Sequence, residues 1–132
     1  MLDRRVLRII RAGFATFACL LLNSTLSIAG RAQSKGNGKE LFVKRCSGCH
    51  ALDRDKEGPR LQGVYGRVAG SVDSFKYSDA LKKSKIIWTD ETLGKWLTDT
   101  EKLVPDNDMT FHVQSSEERG AIIGYLKQNS GR

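Results

Sequence analysis

The chain contains the pentapeptide Cys46-Ser-Gly-Cys49-His50, which restricts its possible folds more than any other feature of the sequence. Two cysteines three positions apart lie on neighbouring sides of one helical turn. Their thiols can add to the two vinyl groups on one edge of a haem, and the histidine that follows can ligate the iron. The motif therefore predicts one haem c per chain, attached through Cys46 and Cys49, with His50 as an iron ligand.

The motif has three other interpretations. A thioredoxin-like redox pair needs a βαβ context, which the sequence does not contain. A zinc site needs a second pair of ligands, but outside the motif the chain has only Cys19 and His112 as cysteine and histidine. A chance occurrence of the pentapeptide is the third alternative. Haem attachment accounts for the motif best.

The first 32 residues have the composition of a leader ahead of one small domain. Four arginines precede an apolar stretch over residues 12–29, and small residues follow it. This order is typical of a secretory signal peptide, cut after Ala29 or Ala32. An uncleaved membrane anchor is the alternative, although the stretch is near the lower length limit for spanning and contains polar residues. We expect residues 1–32 to be a signal peptide and residues 33–132 to be a domain exported to a bacterial periplasm.

The net charge of the chain belongs largely to this leader. The formal net charge is +7, but 17 basic and 14 acidic residues remain in residues 33–132, a net charge of +3. No basic run is interleaved with aromatic residues, as nucleic-acid binding would favour. Nucleic acid is therefore excluded as an expected partner.

Helix signals alternate with long loops in the remaining hundred residues, and no run of alternating β-branched residues occurs. Helices are predicted over residues 39–46, 78–83 and 90–97, the last with Thr89 as its N-cap. A final helix is predicted to begin at the capping box Ser115-x-x-Glu118. Glycines and prolines make 53–70 and 103–114 loops. The predicted fold is a small all-α domain wrapped around one haem, which such a small chain needs in order to build its core.

Met109 is the one methionine beyond the initiator, and it lies in a loop over residues 105–111. We predict Met109 as the second iron ligand, on the side of the haem opposite His50. A thioether favours ferrous iron, so His/Met ligation raises the reduction potential and leaves no open coordination site. The alternatives are a gap-filling core methionine, or His112 as the second ligand.

Five further segments carry a resemblance to a known family. From Gly38 to Gln128 the domain resembles class I cytochrome c, close to the mitochondrial carriers and the bacterial cytochromes c2. The matching segments are Gly38-Lys-Glu-Leu-Phe42, Gly58-Pro59-Arg-Leu61, Phe75-Lys-Tyr77, Ile87-Trp88-Thr and Ile122-Ile-Gly-Tyr125-Leu126.

The resemblance implies roles for five residues around the haem. Pro59 would accept a hydrogen bond from His50 through its carbonyl oxygen and make the imidazole more basic. Tyr77 and Trp88 would donate hydrogen bonds to a buried haem propionate, with Arg67 nearby, because a buried carboxylate needs donors or a counter-charge. Phe111 would shield the haem edge.

Four residues depart from the pattern of the mitochondrial proteins. Trp96 replaces a usual tyrosine and Leu81 a frequent asparagine, and both changes alter the polar surroundings of the haem. Glu101 and Asp108 stand where the family often has lysines. Docking through a ring of lysines is therefore in doubt.

The resemblance implies a carrier of single electrons between respiratory or photosynthetic complexes and periplasmic redox proteins. It would be a monomer and not an enzyme, with protein donors and acceptors as partners and no small-molecule substrate. Two alternatives differ from this prediction. An open sixth iron site would suit a peroxidase or gas sensor, and a retained N-terminal anchor would confine the same carrier to the membrane.

Overall fold

The computed structural model describes residues 34–131; the predicted signal peptide, Cys19 and the alternative anchor lie outside them. Within this range no helix is long and apolar enough to cross a membrane. The helices are α1 (Ser34–Arg45), α2 (Asp79–Ser84), α3 (Asp90–Thr98), α4 (Thr100–Leu103) and α5 (Ser116–Gln128). The β-structure of residues 34–131 is limited to one isolated antiparallel bridge between Val68 and Ile87. The predicted all-α fold is confirmed.

Hydroxyl side chains start α3 and α5 at the predicted positions. Thr89 accepts a hydrogen bond from the backbone N–H of Thr92, and Thr92 Oγ1 accepts one from the N–H of Thr89 at 2.8 Å. Ser115 Oγ accepts the N–H of Glu118 at 3.2 Å. The carboxylate of Glu118 instead binds Arg45 at 2.9 Å, so the predicted capping box of α5 is formed on one side only.

The short helix α4 was not predicted. Asp99 ends α3 and its side chain also accepts the N–H of Lys102 at 3.0 Å, so one residue closes a helix and caps the next. A helix of four residues shows no apolar periodicity, which explains why sequence patterns missed it. It begins the segment that leads to Met109.

Helices α1 and α5 cross at very short range. A Cβ atom on Gly38 would lie 2.4 Å from the carbonyl oxygen of Ala121, so only glycine permits this approach. Next to it the rings of Phe42 and Tyr125 pack with centroids 5.3 Å apart, and Ile122 is completely buried. The crossing fixes the C-terminal end of α1, from which the cysteine motif continues.

Candidate functional site

A cavity of about 440 Å³ lies in the core of the described residues, and the residues that line it extend from Arg45 at the end of α1 to Leu126 in α5. Most of its surface is apolar, and about half of the residues that line it belong to the hydrophobic core or pack against it. All nine residues that sequence reasoning assigned to the site line this cavity. They are Cys46, Cys49, His50, Pro59, Arg67, Tyr77, Trp88, Met109 and Phe111.

His50 lies in the turn that follows α1, with only 9% of its surface exposed. Its Nδ1 lies 2.8 Å from the carbonyl oxygen of Pro59. A carbonyl oxygen can only accept, so Nδ1 carries the proton and donates, and the lone pair of Nε2 stays available for a metal. Burial lowers the pKa of His50, and the bond to Pro59 has a smaller effect in the opposite direction. The lowered pKa favours the neutral imidazole that ligation requires.

At Gly58 the backbone passes directly beside the ring of His50. A Cβ atom at this position would lie 2.2 Å from Cε1 and within 2.7 Å of both ring nitrogens. The backbone N–H of Gly58 donates to the carbonyl oxygen of Cys49 at 2.8 Å, which holds this loop against the motif. The glycine therefore supplies space for the imidazole, and the proline that follows supplies the acceptor.

Cys46 is partly buried and Cys49 is exposed, and no disulfide joins them. Burial raises the pKa of Cys46 to about 11, opposite to the lowered pKa of a thioredoxin-like redox cysteine. Among the described residues no group of three or more His, Cys, Asp or Glu side chains could hold a metal ion, so a zinc site has no ligand set there. Covalent attachment of a haem is the use of this motif that agrees with its surroundings.

Met109 lies in the loop after α4 and packs, partly buried, against the core. Its N–H donates to Asn107 Oδ1 at 2.8 Å, and its carbonyl oxygen accepts a hydrogen bond from Thr100. His112 is exposed and is not among the residues that line the cavity. Of the two alternatives for a second iron ligand, the structure brings Met109 to the cavity that His50 lines.

A fixed positive charge lies on the cavity wall at Arg67. Its guanidinium donates to the carbonyl oxygens of Arg60 and Gln62, each at 3.0 Å. Burial lowers the pKa of Arg67 and raises the pKa of the nearby Tyr77. An arginine keeps its charge at neutral pH despite such a shift, and a tyrosine with a raised pKa keeps its proton to donate.

Two buried tryptophans complete the wall. Trp88 and Trp96 pack with ring centroids 5.4 Å apart, and Leu81 lines the cavity as well. Both indole side chains line the cavity, as does the guanidinium of Arg67. An apolar cavity with indole rings and a guanidinium in its lining fits a large apolar cofactor that carries carboxylates.

Comparison with known proteins agrees with this geometry. The model of the family described as Cytochrome c matches residues 36–130. A cytochrome c of Gibberella zeae is 38% identical over 97 residues, which cover 70% of this chain and 92% of that protein. A cytochrome c of Euglena viridis is 41% identical over 93 residues, covering 68% and 91%.

A solved structure with the same fold is that of cytochrome cH from Methylobacterium extorquens. It has a TM-score of 0.68 and 36% sequence identity, and the match covers 71% of this chain and 97% of that one. The chain belongs to the cytochrome c family. It binds one haem c covalently through Cys46 and Cys49, and it is a monohaem electron carrier that exchanges electrons with redox partner proteins.

Three residues that support the loop of Met109 were not predicted to do so. Thr100 and Asn107 bind the backbone of Met109, and Glu101 binds the loop between them. These contacts depend on α4, and no sequence pattern indicated that helix. The close approach of Gly58 to His50 was signalled only by the Gly-Pro pair.

Proposed function

We propose that the chain is a low-spin electron carrier in which His50 and Met109 ligate the haem iron on its two sides. The observation that carries this proposal is that His50, with its Nδ1 bound to Pro59, lines the same cavity as Met109. Because Nδ1 is committed to Pro59, Nε2 is the nitrogen left for the iron. A thioether as the second ligand favours the ferrous state.

The remaining cavity residues are proposed to hold the cofactor in place. Trp88 and Tyr77 would donate hydrogen bonds to a haem propionate and Arg67 would supply its counter-charge, while Phe111 would cover the haem edge. Support comes from the place of these four residues in the lining of the cavity and from the two carbonyl contacts that fix the Arg67 guanidinium. When bound, haem c supplies a reversible one-electron change between ferric and ferrous iron.

With His50 and Met109 both holding the iron, no coordination site would be left for a substrate, and we propose that the chain is not an enzyme. As a monomer, it would pass single electrons between respiratory or photosynthetic complexes and periplasmic proteins.

The export signal that this location requires is the predicted signal peptide over residues 1–32, and a retained anchor would leave the chemistry unchanged. Sequencing the N-terminus of the protein released from the periplasm without detergent separates the two: a start near residue 30 or 33 supports cleavage, and an intact leader contradicts it.

The ligand assignment is tested by replacing Met109→Ala in the haem-loaded protein. We expect the weak red-edge absorption band of ferric iron–sulfur ligation to vanish, and the potential to fall by on the order of 0.1 V, because a soft ligand that favours ferrous iron is lost. The measurements are visible spectroscopy of the ferric protein and a redox titration.

The matched control for that test is His112→Ala, which removes the other potential ligand from the same loop. We expect this variant to keep both the band and the potential. A wild-type protein without the band and with a high-spin spectrum would contradict the proposal, and would make a peroxidase or gas sensor the better account. Loss of the native spectrum in His112→Ala instead would indicate a bis-histidine haem.

A further inference from the structure

We propose that Glu101 is a positioning residue whose carboxylate clamps the loop that carries Met109. The clamp sets how readily another ligand displaces Met109 from the iron. This inference rests on the proposed His/Met ligation. It concerns a residue that stands where the family often has a lysine, and no sequence pattern connected it with the iron ligand.

Glu101 lies in the first turn of α4, and each of its carboxylate oxygens accepts one hydrogen bond from the loop that follows. Oε1 accepts the backbone N–H of Asp106 at 3.0 Å. Oε2 accepts Nδ2 of Asn107 at 3.2 Å. Hydrogen bonds to an ionised acceptor are stronger than neutral ones, so a carboxylate suits this position. A lysine has no acceptor and could make neither contact.

Asn107 passes this constraint on to Met109. Its Nδ2 also donates to the carbonyl oxygen of Val104 at 2.9 Å, and these two acceptors fix which way the amide group faces. The other amide atom, Oδ1, is thereby turned to accept the N–H of Met109 at 2.8 Å. From the same helix the hydroxyl of Thr100 donates to the carbonyl oxygen of Met109. Groups that α4 orients therefore bind both backbone polar groups of Met109.

The loop also contains a conformation that needs such support. Asp106 has a φ of +62°, in the left-handed region that residues other than glycine adopt at a cost. Its N–H is the group that binds Glu101. Without the carboxylate, we expect Asp106 to relax toward ordinary φ values and the loop to open more often. Since Glu101 is exposed, its bonds compete with water, and the closed loop is favoured rather than locked.

The experiment compares Glu101→Ala and Glu101→Gln with the wild-type haem protein by titrating free imidazole against the ferric iron. Imidazole has to displace Met109, so its apparent affinity rises with the fraction of open loop. We expect Glu101→Ala to bind imidazole about tenfold more tightly, because it loses two hydrogen bonds that are each weakened by competition with water. Glu101→Gln retains one acceptor oxygen but replaces the other with an amide donor, so its imidazole affinity should lie between those of the wild type and Glu101→Ala.

The matched control is Glu91→Ala, which removes a carboxylate of equal charge from α3, where it pairs with Lys95 rather than with the loop. It should leave imidazole binding unchanged. A second readout is amide hydrogen exchange, in which Glu101→Ala should speed exchange at the N–H groups of Asp106 and Met109 alone. Wild-type values of both imidazole affinity and exchange in Glu101→Ala would overturn the clamp.

The two proposals fail in different ways. If the wild-type protein lacks a red-edge band that depends on Met109, the ligation is wrong, and imidazole no longer reports on the loop. Exchange at Asp106 and Met109 then decides the clamp by itself, since it measures hydrogen bonds that do not involve the iron. If the band is present and Glu101→Ala changes nothing, only the clamp is wrong.

Discussion

At the scale of the residue, the chemistry of the site depends on how little freedom His50 has. One ring nitrogen is bound to a backbone carbonyl at 2.8 Å, and the ring lies directly against the Cα of Gly58. A backbone acceptor cannot rotate away as a side chain can. The imidazole is therefore oriented before it meets the iron, and ligation does not have to order it.

Gly58→Ala tests this constraint. The added methyl group would fall 2.2 Å from Cε1 of His50, so the ring or the loop has to move. We expect a loss of about 1–3 kcal/mol in the free energy of unfolding and a smaller yield of low-spin haem protein. Chemical denaturation and visible spectra measure the two effects.

The control is Gly94→Ala in α3, where a Cβ atom would meet nothing within 4 Å. This variant should keep the wild-type spectrum. If Gly58→Ala retained both the spectrum and the stability of the wild type, the steric role of Gly58 would be refuted.

At the scale of the element, the crossing of α1 and α5 depends on a backbone contact. The Cβ of an alanine at Gly38 would lie 2.4 Å from the carbonyl oxygen of Ala121 and 3.0 Å from Cβ of Tyr125. Neither atom is the end of a flexible side chain, so the two helices have to separate. Their separation would loosen the ring contact between Phe42 and Tyr125 and the packing of Ile122.

Gly38→Ala should therefore lower the free energy of unfolding by roughly 1–3 kcal/mol, although alanine is the better helix former. Denaturation with guanidinium measures the change. Gly124→Ala provides the opposite case, because a Cβ there meets nothing within 4 Å, and the helix preference should stabilise the protein by up to about 1 kcal/mol. An equal response of the two variants would mean that the contact with Ala121 does not limit the packing.

The elements also show what sequence patterns can and cannot predict. The starts of α3 and α5 follow from Thr89 and Ser115, because capping involves residues three apart in the chain. Sequence patterns could not predict the partner of Glu118, because Arg45 lies 73 positions away. They could not predict α4 either, since its start rests on the single side chain of Asp99.

For the candidate site as well, sequence patterns predicted residues that are close together in the chain and missed contacts that depend on the fold. The cysteine motif and the Gly-Pro pair identified the haem attachment and the segment around His50, because these residues are close in sequence. Resemblance to a family placed Arg67, Tyr77 and Trp88 near one another, and the structure has all three on the cavity wall. The support of Met109 by Glu101 and Thr100 was missed, because it differs from the family and depends on side-chain geometry.

At the scale of the whole molecule, charges of both signs surround the cavity. Arg45 lines it but is paired with Glu118 at 2.9 Å, while Glu57 and Asp108 line it as exposed acids. Such a rim lacks the single-sign field that steers a strongly charged partner. We expect the association of this carrier with its partners to depend only weakly on ionic strength.

Asp108→Lys tests the influence of the rim on electron transfer. At low ionic strength it should raise the rate of reaction with a small anionic oxidant, and lower the rate with a cationic one, each by roughly two- to fivefold. Stopped-flow kinetics at two salt concentrations measure both rates. Asp73→Lys makes the same change in net charge at an exposed site away from the cavity, and should have a much smaller effect. Equal effects of the two variants would show that net charge alone governs the rates.

The contacts that position His50 are close in sequence, whereas Met109 depends on contacts between residues far apart in the chain. His50 is held by a short segment whose own backbone bonds close it, with Gly58 donating to Cys49 and Leu61 to Ala51. Met109 follows His50 at a distance of 59 residues in sequence, and it reaches the cavity only when α4 and its loop are in place. Local contacts form quickly and distant ones late, because closing a long loop costs more chain entropy. We therefore expect the segment around His50 to form early in folding and the loop that carries Met109 to form late.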